Sequence, residues 1–229
     1  MTRDEQKRAV AAAAVDYISP GTTIGVGTGS TAALFIEQLA ARPERVAAAV
    51  PSSEATAAAL RVAGIRVAGL DEAPRPSLYV DGADAVDPRL RLIKGAGGAL
   101  VREKLVASAS DLFVCIVDES KLTDGLGGAT GDHPEGAPVP LAVVPAALAP
   151  VSARMRELGA DPVVRAGYRT DDGLAILDVS GLDLGDLEGL EAELESLPGV
   201  AGCGIFARRP ADVVLAGSAA GVRVIASPR

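Results

Sequence analysis

The chain has 229 residues, 48% of them hydrophobic, and a formal net charge of −8 at pH 7. Its length suits one large domain or a main domain with a small companion, and its hydrophobic content excludes wholesale disorder. The negative charge argues against a general nucleic-acid-binding or membrane-binding surface, because nonspecific phosphate binding needs a basic face.

The sequence also lacks an obvious targeting signal or metal-ligand pattern. No stretch has the pattern of a signal peptide or the apolar length of a membrane span, so we expect a cytoplasmic protein. Cys115 and Cys203 lie far apart and without ligand-like spacing, which predicts two buried free thiols. His133 is the single histidine, so a zinc site has no obvious ligands and we expect neither a metal nor a cofactor.

The amino-terminal third predicts helices that alternate with short apolar strands. This alternation indicates parallel βαβ units, and therefore an α/β fold with an open, mainly parallel, Rossmann-like sheet and helices on both faces. The predicted helices cover residues 2–18, 32–41 and 54–63, and the predicted strands cover residues 22–26, 46–50 and 65–68. Lys7 lies on the first helix, where on the residues alone it is a solvated charge. Ser52, Ser53 and Glu54 are predicted to cap the third helix.

A glycine-rich turn joins the first strand to the second helix. Such a turn presents free backbone N–H groups and the positive end of a helix dipole, which suit a phosphate group. The residues of the turn are Gly27, Thr28, Gly29, Ser30 and Thr31. The alternative is that Ser30 and Thr31 are simple N-caps of the helix. The turn lacks the lysine of a Walker A loop and the third glycine of a dinucleotide-binding fingerprint.

Residues 78–105 concentrate charge and glycine in an otherwise apolar, alanine-rich chain. The apolar run before Asp81 is typical of a buried strand, and Asp81 and Asp84 follow on the loop that leaves it. Ligands of open α/β sheets bind beyond the carboxyl ends of the strands. These two carboxylates are therefore placed for chemistry rather than for packing.

A lysine and a flexible glycine run come next. Lys94 is followed by glycines that allow positive φ angles and a close approach of the backbone to a ligand, namely Gly95, Gly97 and Gly98. A helix that begins near residue 99 is predicted to bring Glu103 inward about one turn later. We therefore expect one lysine and three carboxylates to share a pocket. The alternative is that Glu103 belongs to a solvated ion pair on the helix surface.

The second half predicts a smaller α+β domain of ferredoxin-like type after a flexible connection. Residues 125–140 are rich in glycine and proline, which is typical of a mobile connection or a domain boundary. Mixed strands and helices follow, with a hairpin signal at residues 171–173. The last strands are predicted to return to the first sheet. The predicted α/β domain covers residues 1–127 and 208–229, and the small domain covers residues 128–207.

Six short sequence motifs follow one another along the chain in a distinctive order. They are GVGTGST, DGAD, LRLIKG, GGALVREK, IVDESK and GIFARRPADVVLAG. Together they resemble the type A family of ribose-5-phosphate isomerases over nearly the whole chain, whereas any one glycine-rich block alone would be weak. The resemblance implies a metal-free enzyme of the non-oxidative pentose phosphate pathway that interconverts D-ribose 5-phosphate and D-ribulose 5-phosphate through an enediol(ate).

The resemblance also implies catalytic roles. Interconverting an aldose and a ketose needs a base beside the carbon and a donor beside the oxygen. Glu103 would be the base that moves a proton between C2 and C1, and Lys94 would hold the developing oxyanion. Asp81 and Asp84 would bind hydroxyls, open the sugar ring and move the O1 and O2 protons.

For substrate binding, the resemblance favours the phosphate interpretation of the turn at residues 27–31. It places Lys7 at the substrate phosphate. It places Lys121 at the phosphate or at the closing site, whereas on the residues alone Lys121 is a solvated loop lysine after the strand at residues 112–117. The family further suggests a homodimer or homotetramer whose only other partner is the small sugar phosphate.

The chain departs from the family pattern at a few positions. Ala85 replaces the acidic residue that commonly follows DGAD, and Ala96 interrupts the glycine run, which is costly only if its φ must be positive. The loop at residues 125–140 is longer than in the family. A non-catalytic sugar-phosphate sensor is the alternative function. A dinucleotide-dependent oxidoreductase is not favoured, because Ser52 and Ser53 stand where an acidic residue is expected.

Overall fold

The computed structural model describes residues 1–226, which form six α-helices and thirteen β-strands. The helices are α1 (Arg3–Ala14), α2 (Ser30–Ala40), α3 (Glu54–Val62), α4 (Leu100–Ala109), α5 (Leu148–Glu157) and α6 (Leu187–Ser196). The strands are β1 (Thr22–Val26), β2 (Val46–Pro51), β3 (Leu78–Asp81), β4 (Ala85–Val86), β5 (Leu92–Ile93), β6 (Phe113–Asp118), β7 (Val139–Val143), β8 (Asp161–Val164), β9 (Ala175–Ser180), β10 (Val200–Cys203), β11 (Ile205–Phe206), β12 (Val213–Ser218) and β13 (Gly221–Ala226).

Six strands form the main sheet in the order β13-β12-β6-β3-β1-β2. All neighbouring pairs are parallel except the hairpin of β12 and β13. The central strand β6 is buried along its whole length, as its apolar sequence requires in a sheet that is covered on both faces. The prediction of a mainly parallel α/β sheet to which the end of the chain returns is confirmed.

Helices cover both faces of this sheet. On one face, Val10 of α1 and Phe35 of α2 belong to a core that also contains Leu60 of α3. On the other face, Val106 of α4 packs in a second core with Tyr79 of β3. The helix that carries Glu103 is therefore fixed on the sheet beside the strand that carries Asp81.

The four-stranded sheet has the topology of a ferredoxin-like unit. The elements follow one another as β7, α5, β8, β9, α6 and β10, and the strands lie in the antiparallel order β10-β7-β9-β8. Leu141, Met155 and Leu194 belong to its core. The hairpin signal at residues 171–173 lies between β8 and β9, which pair as an antiparallel hairpin. The predicted small α+β unit is thus present.

A third, three-stranded sheet links the two larger ones in the order β11-β5-β4. Its strands β5 and β11 come from residues 92–93 and 205–206, on opposite sides of the predicted domain division. The division into residues 1–127 with 208–229 and residues 128–207 stays a prediction, and its last three residues lie outside the described part of the chain.

One local prediction was wrong, and one apolar run divides between two sheets. The segment at residues 65–68 is not a strand of its own, because only Val67 makes an isolated bridge, with Ala49 at the edge of the sheet. The apolar run at residues 200–206 divides at Gly204 into β10 and β11, which belong to different sheets. A side chain at Gly204 would lie 2.4 Å from the carbonyl oxygen of Lys94. The chain therefore changes sheets where two backbones come into close contact.

Replacement of Gly25 by alanine tests how tightly α4 is packed on the sheet. A Cβ at Gly25 would lie 2.4 Å from Val106 Cγ1 and 2.8 Å from Tyr79 Cδ2. We expect Gly25→Ala to lower the free energy of unfolding by about 1–3 kcal/mol, the usual cost of overpacking a core. The control Gly125→Ala adds the same methyl group where nothing lies within 4 Å. Urea unfolding of both variants should show a lower free energy of unfolding for Gly25→Ala alone. Equal free energies of unfolding for the two variants would contradict the close packing of α4 on the sheet.

Candidate active site

A cavity of about 240 Å³ opens beyond the carboxyl ends of β1, β3 and β6. The predicted site residues that line it are Lys7, Thr28, Gly29, Ser30, Thr31, Asp84, Lys94, Gly95, Gly97, Glu103 and Lys121. Three predicted residues, Asp81, Gly27 and Gly98, do not line this cavity. Residues from distant parts of the sequence thus meet at one edge of the sheet, which is where ligands of open α/β sheets bind.

Asp81 lies beneath the cavity as a fully buried carboxylate. Its Oδ1 accepts hydrogen bonds from the backbone N–H of Thr28 at 3.1 Å and of Gly82 at 2.7 Å. Its Oδ2 accepts from the hydroxyl of Tyr79 at 2.5 Å and from Lys94 Nζ at 2.7 Å. Four donors of the protein therefore hold the carboxyl group of Asp81 in one position.

Gly27 makes room for this carboxylate. A Cβ at Gly27 would lie 1.9 Å from the carboxyl carbon of Asp81, so no larger residue fits without displacing it. The N–H of Gly27 donates to the carbonyl of Val80 at 2.9 Å, within the sheet. Gly27 thus positions Asp81 from behind and does not face the cavity itself.

Tyr79 is a residue of this site that the sequence analysis missed. Its side chain is fully buried, and burial together with the charge of Asp81 raises its pKa well above the ordinary value. The hydroxyl therefore stays protonated and donates to Asp81. The available signal was the two-residue spacing of Tyr79 and Asp81 on one strand, which places both side chains on the same face.

Lys94 follows β5 and is only 3% exposed. Its Nζ donates to Asp81 Oδ2 and to the carbonyl of Gly82, each at 2.7 Å. It also lies 3.1 Å from Glu103 Oε2. Burial alone would lower the pKa of Lys94, but the two carboxylates outweigh it and raise the pKa above its ordinary value. The cavity therefore has a permanent positive charge in its wall.

Glu103 projects inward from the first turn of α4 and is 3% exposed. Burial raises its pKa to about 8, and the charge of Asp81 adds to this effect while Lys94 opposes it. Lys94 Nζ lies 3.1 Å from Glu103 Oε2, as an ion pair without the geometry of an aligned hydrogen bond, and Oε2 has no other hydrogen-bond partner among the described residues. The direction of this shift could not be predicted from the sequence.

The alternative of a surface ion pair for Glu103 is wrong, because its sequence neighbours point elsewhere. Arg102 Nη1 pairs with Glu54 at 2.9 Å, and its Nη2 pairs with Asp172 at 2.8 Å. Lys104 Nζ pairs with Glu191 at 2.7 Å and also donates to the carbonyl of Ile205 at 2.7 Å. Both neighbours therefore anchor α4 on either side of Glu103.

The glycine run after Lys94 forms one wall of the cavity. Asp84 lines the cavity and accepts a hydrogen bond from the N–H of Ala96 at 2.9 Å. Ala96 has no positive φ, so its β-carbon causes no backbone strain. From the small unit, Arg165 donates to the carbonyl of Ala96 at 2.7 Å and Tyr168 to that of Gly97 at 2.8 Å.

At the other end of the cavity, the amino terminus of α2 carries no side-chain cap. Gly29 is the N-cap residue, with φ at 115°, and Ser30 is the first helical residue. The N-cap interpretation of Ser30 and Thr31 was therefore wrong, because the N-cap position lies one residue earlier. Lys7 Nζ donates to Ser30 Oγ at 3.1 Å, which brings a cation next to these uncapped N–H groups.

Neighbouring polar residues support the turn rather than line the cavity. Thr28 Oγ1 lies 2.8 Å from the Oγ atoms of both Ser52 and Ser53. Ser53 accepts from the N–H of Thr56 at 3.0 Å and is the N-cap of α3, so the capping prediction is confirmed for Ser53. The turn is thus tied to the start of the next helix.

Lys121 lies at the same end of the cavity as Lys7 but is already paired. Its Nζ lies 2.5 Å from Asp132 Oδ2, and Arg3 Nη1 lies 2.8 Å from Asp132 Oδ1. Asp118 at the end of β6 also lines the cavity, 3.4 Å from Arg3 Nε. The sequence analysis missed Asp132, because it stands in a glycine- and proline-rich loop with no local signal.

The remaining sequence candidates lie elsewhere. Cys115 and Cys203 are buried free thiols, as predicted, and burial raises the pKa of Cys115 to about 12. Among residues 1–226, no group of histidine, cysteine, aspartate and glutamate side chains is arranged to hold a metal ion. In the same residues, no helix has the length and apolar character needed to cross a membrane.

Comparison with known proteins gives a consistent result. The family model for ribose 5-phosphate isomerase A (phosphoriboisomerase A) matches residues 48–221. The chain is 40% identical to a ribose 5-phosphate isomerase A from Neisseria gonorrhoeae, with a TM-score of 0.93 and coverage of 100% of this chain and 99% of that one. It is 36% identical to the enzyme from Methanocaldococcus jannaschii, with a TM-score of 0.90 and coverage of 98% and 100%.

A third solved structure contains a ligand. It is a D-ribose-5-phosphate isomerase in complex with phospho-erythronic acid, and it is 34% identical to this chain. Its TM-score is 0.92, and the match covers 99% of this chain and 100% of that one. The family model begins after Lys7 and the turn at residues 27–31, whereas the three solved structures match 98–100% of this chain.

The raised pKa of Glu103 can be tested by infrared titration. An ordinary glutamate titrates at about 4.3, whereas burial raises the pKa of Glu103 to about 8. We expect a protonated-carboxyl absorption that persists at neutral pH and disappears with a midpoint of about 8. It should be absent from Glu103→Gln and present in the control Glu188→Gln, which changes an exposed side chain. A wild-type spectrum without protonated carboxyl at neutral pH would contradict the burial argument.

Proposed function

Because the chain belongs to the ribose 5-phosphate isomerase A family, we propose that its catalytic groups are Glu103, Lys94, Asp84 and Asp81. The protein is an aldose–ketose isomerase that interconverts D-ribose 5-phosphate and D-ribulose 5-phosphate in the non-oxidative branch of the pentose phosphate pathway. The observation that carries the residue assignment is a buried carboxylate with its pKa raised to about 8, placed 3.1 Å from a buried ammonium group.

Glu103 acts as the base in this proposal. Its carboxylate takes the C2 proton of the open-chain aldose, and the electrons of the C–H bond form the C1–C2 double bond of an enediolate. The protonated carboxyl then returns the proton to C1, which gives the ketose. A base whose pKa lies near the working pH both accepts and releases a proton readily, and burial gives Glu103 such a pKa.

Lys94 stabilises the negative charge that develops on the substrate oxygen. Its ammonium is held by Asp81 and Gly82 and needs little reorganisation when the charge appears. Asp81 keeps this cation charged and in place, and its own hydrogen bonds are made to Thr28, Tyr79, Gly82 and Lys94. Asp84 lines the cavity and takes the contacts with sugar hydroxyls, including ring opening and the O1 and O2 protons.

The substrate phosphate binds at the other end of the cavity. Lys7, the uncapped amino terminus of α2 and Lys121 meet there, and each favours an anion. The ligand of the related complex, phospho-erythronic acid, also carries a phosphate group. Gly95 and Gly97 lie along the wall between the phosphate end and the buried catalytic groups.

Several further features belong to this proposal. The reaction uses no metal and no cofactor, because Lys94 supplies the positive charge at the oxyanion. The enzyme works in the cytoplasm, does not bind nucleic acid or membranes, and assembles as a homodimer or homotetramer, as the family suggests. The alternative of a non-catalytic sensor is not favoured, since the family model and the solved structures matched are those of isomerases.

Replacement of Glu103 tests the proposed base. We expect Glu103→Gln to lower kcat by about 10²–10⁴-fold, the usual contribution of a positioned base. Wild-type turnover of ribose 5-phosphate should survive EDTA, and Glu188→Gln should match wild type. Circular dichroism would show whether the inactive variant is folded. Loss of wild-type activity in EDTA would instead assign the oxyanion to a metal, and full activity of Glu103→Gln would remove Glu103 as the base.

Replacement of Lys7 tests the phosphate end. We expect Lys7→Met to raise KM for ribose 5-phosphate about tenfold or more, because a charge-assisted contact is lost, with a smaller change in kcat. The matched control is Arg8→Met, which removes a neighbouring cation that pairs with Glu37 on the exposed surface. Steady-state kinetics of both variants would decide the assignment. Equal effects of the two substitutions on KM would mean that substrate binding depends on the net charge of the protein and not on a contact between Lys7 and the phosphate.

A further inference from the structure

A carboxylate of the chain itself lies among the cations at the phosphate end. Asp132 Oδ2 is 2.5 Å from Lys121 Nζ, and Asp132 Oδ1 is 2.8 Å from Arg3 Nη1. Asp132 lines the same cavity as Lys7 and Ser30. Hydrogen bonds from Arg3 and Lys121 hold the pKa of Asp132 well below its ordinary range, so this carboxylate is ionised at neutral pH.

The charges at this end of the cavity show what Asp132 does to an incoming phosphate. Arg3, Lys7 and Lys121 contribute three positive charges, while Asp118 and Asp132 contribute two negative ones. The sum is about +1, whereas a phosphate monoester carries about −1.5 to −2 at pH 7. Without Asp132 the sum is about +2, which matches the phosphate. A phosphate bound beside Asp132 would face a like charge and a cation that is already paired.

Of the two acidic residues, only Asp132 is placed to move. The side chain of Asp118 is 1% exposed and its Oδ1 accepts from the N–H of Ser120 at 3.2 Å. The side chain of Asp132 is 43% exposed, and it lies between the last 3₁₀ turn after β6 and the start of β7, without helix or strand. Asp132 can therefore exchange its cation contacts for water at little cost.

We propose that Asp132 is an internal competitor of the substrate phosphate and an affinity-determining residue of this isomerase. It holds Lys121 and Arg3 until the phosphate of the sugar displaces it, and it returns when the product leaves. This proposal rests on the proposed phosphate site. In this proposal, a residue of the loop between β6 and β7 sets the affinity without contact with Glu103 or Lys94. A sugar without a phosphate group has no charge with which to displace the carboxylate.

The test is Asp132→Asn, which keeps the shape of the side chain and removes its charge. We expect KM for ribose 5-phosphate and the inhibition constant of inorganic phosphate, used as a competitive probe, to fall together by about 2- to 5-fold, the range for partly exposed ion pairs. The difference from wild type should shrink at high salt, because screening weakens exposed charge pairs. The matched control is Asp124→Asn, an exposed aspartate of the same loop that does not line this cavity.

The possible results separate the two proposals. If Lys7→Met raises KM but Asp132→Asn does not lower it, the proposed phosphate site is supported and the proposed role of Asp132 as a competitor is overturned. A higher KM for Asp132→Asn would mean that Asp132 holds Lys121 in its binding position, which also overturns the inference. If phosphate does not compete with the substrate and Lys7→Met has no effect on KM, the phosphate site itself is misplaced and both proposals fail.

Discussion

The ion pair between Lys94 and Asp81, buried at the end of β3, is the interaction on which the site depends. A buried charge is costly unless it is paired and hydrogen-bonded, and both conditions hold here. A second carboxylate in the same enclosure then shares the single positive charge of Lys94 with Asp81. Glu103 is that second carboxylate: burial raises its pKa to about 8, the charge of Asp81 adds to this effect, and Lys94 opposes it only in part. The ordinary electrostatics of one cation and two carboxyls thus produce a base suited to neutral pH.

This arrangement needs α4 to be held firmly, since Glu103 lies on its first turn. The residues on either side of Glu103 in the sequence fix the position of this helix. Arg102 reaches Asp172 in the hairpin of the ferredoxin-like unit, and Lys104 reaches Glu191 on α6 of the same unit. Val106, one turn further on, packs against the main sheet. The small unit therefore contributes to catalysis through the position of one helix, although none of the proposed catalytic groups belongs to it.

The sequence was sufficient to predict the fold class and the sheet edge at which most of the candidate site residues lie, for physical reasons. Asp81 and Lys94 stand next to strand ends, and Glu103 lies about one turn into the helix that follows the glycine run, so their approximate location followed from topology. The missing parts depend on contacts that are distant in sequence. The pKa of Glu103 depends on its burial and on its distances from Lys94 and Asp81, and the contact of Asp132 depends on how an irregular loop folds over the cavity.

The two ends of the cavity use charge in different ways. At the catalytic end, Lys94 and Glu103 are each 3% exposed, so their interaction is little screened and both side chains stay fixed. At the phosphate end, Lys121 is 12% and Asp132 43% exposed, and their contact is screened and easily exchanged. Proton transfer requires fixed groups, whereas a substrate must enter and leave on every turnover. A rigid, dry pair at one end and an exchangeable pair at the other meet these two requirements within one small cavity of an otherwise acidic protein.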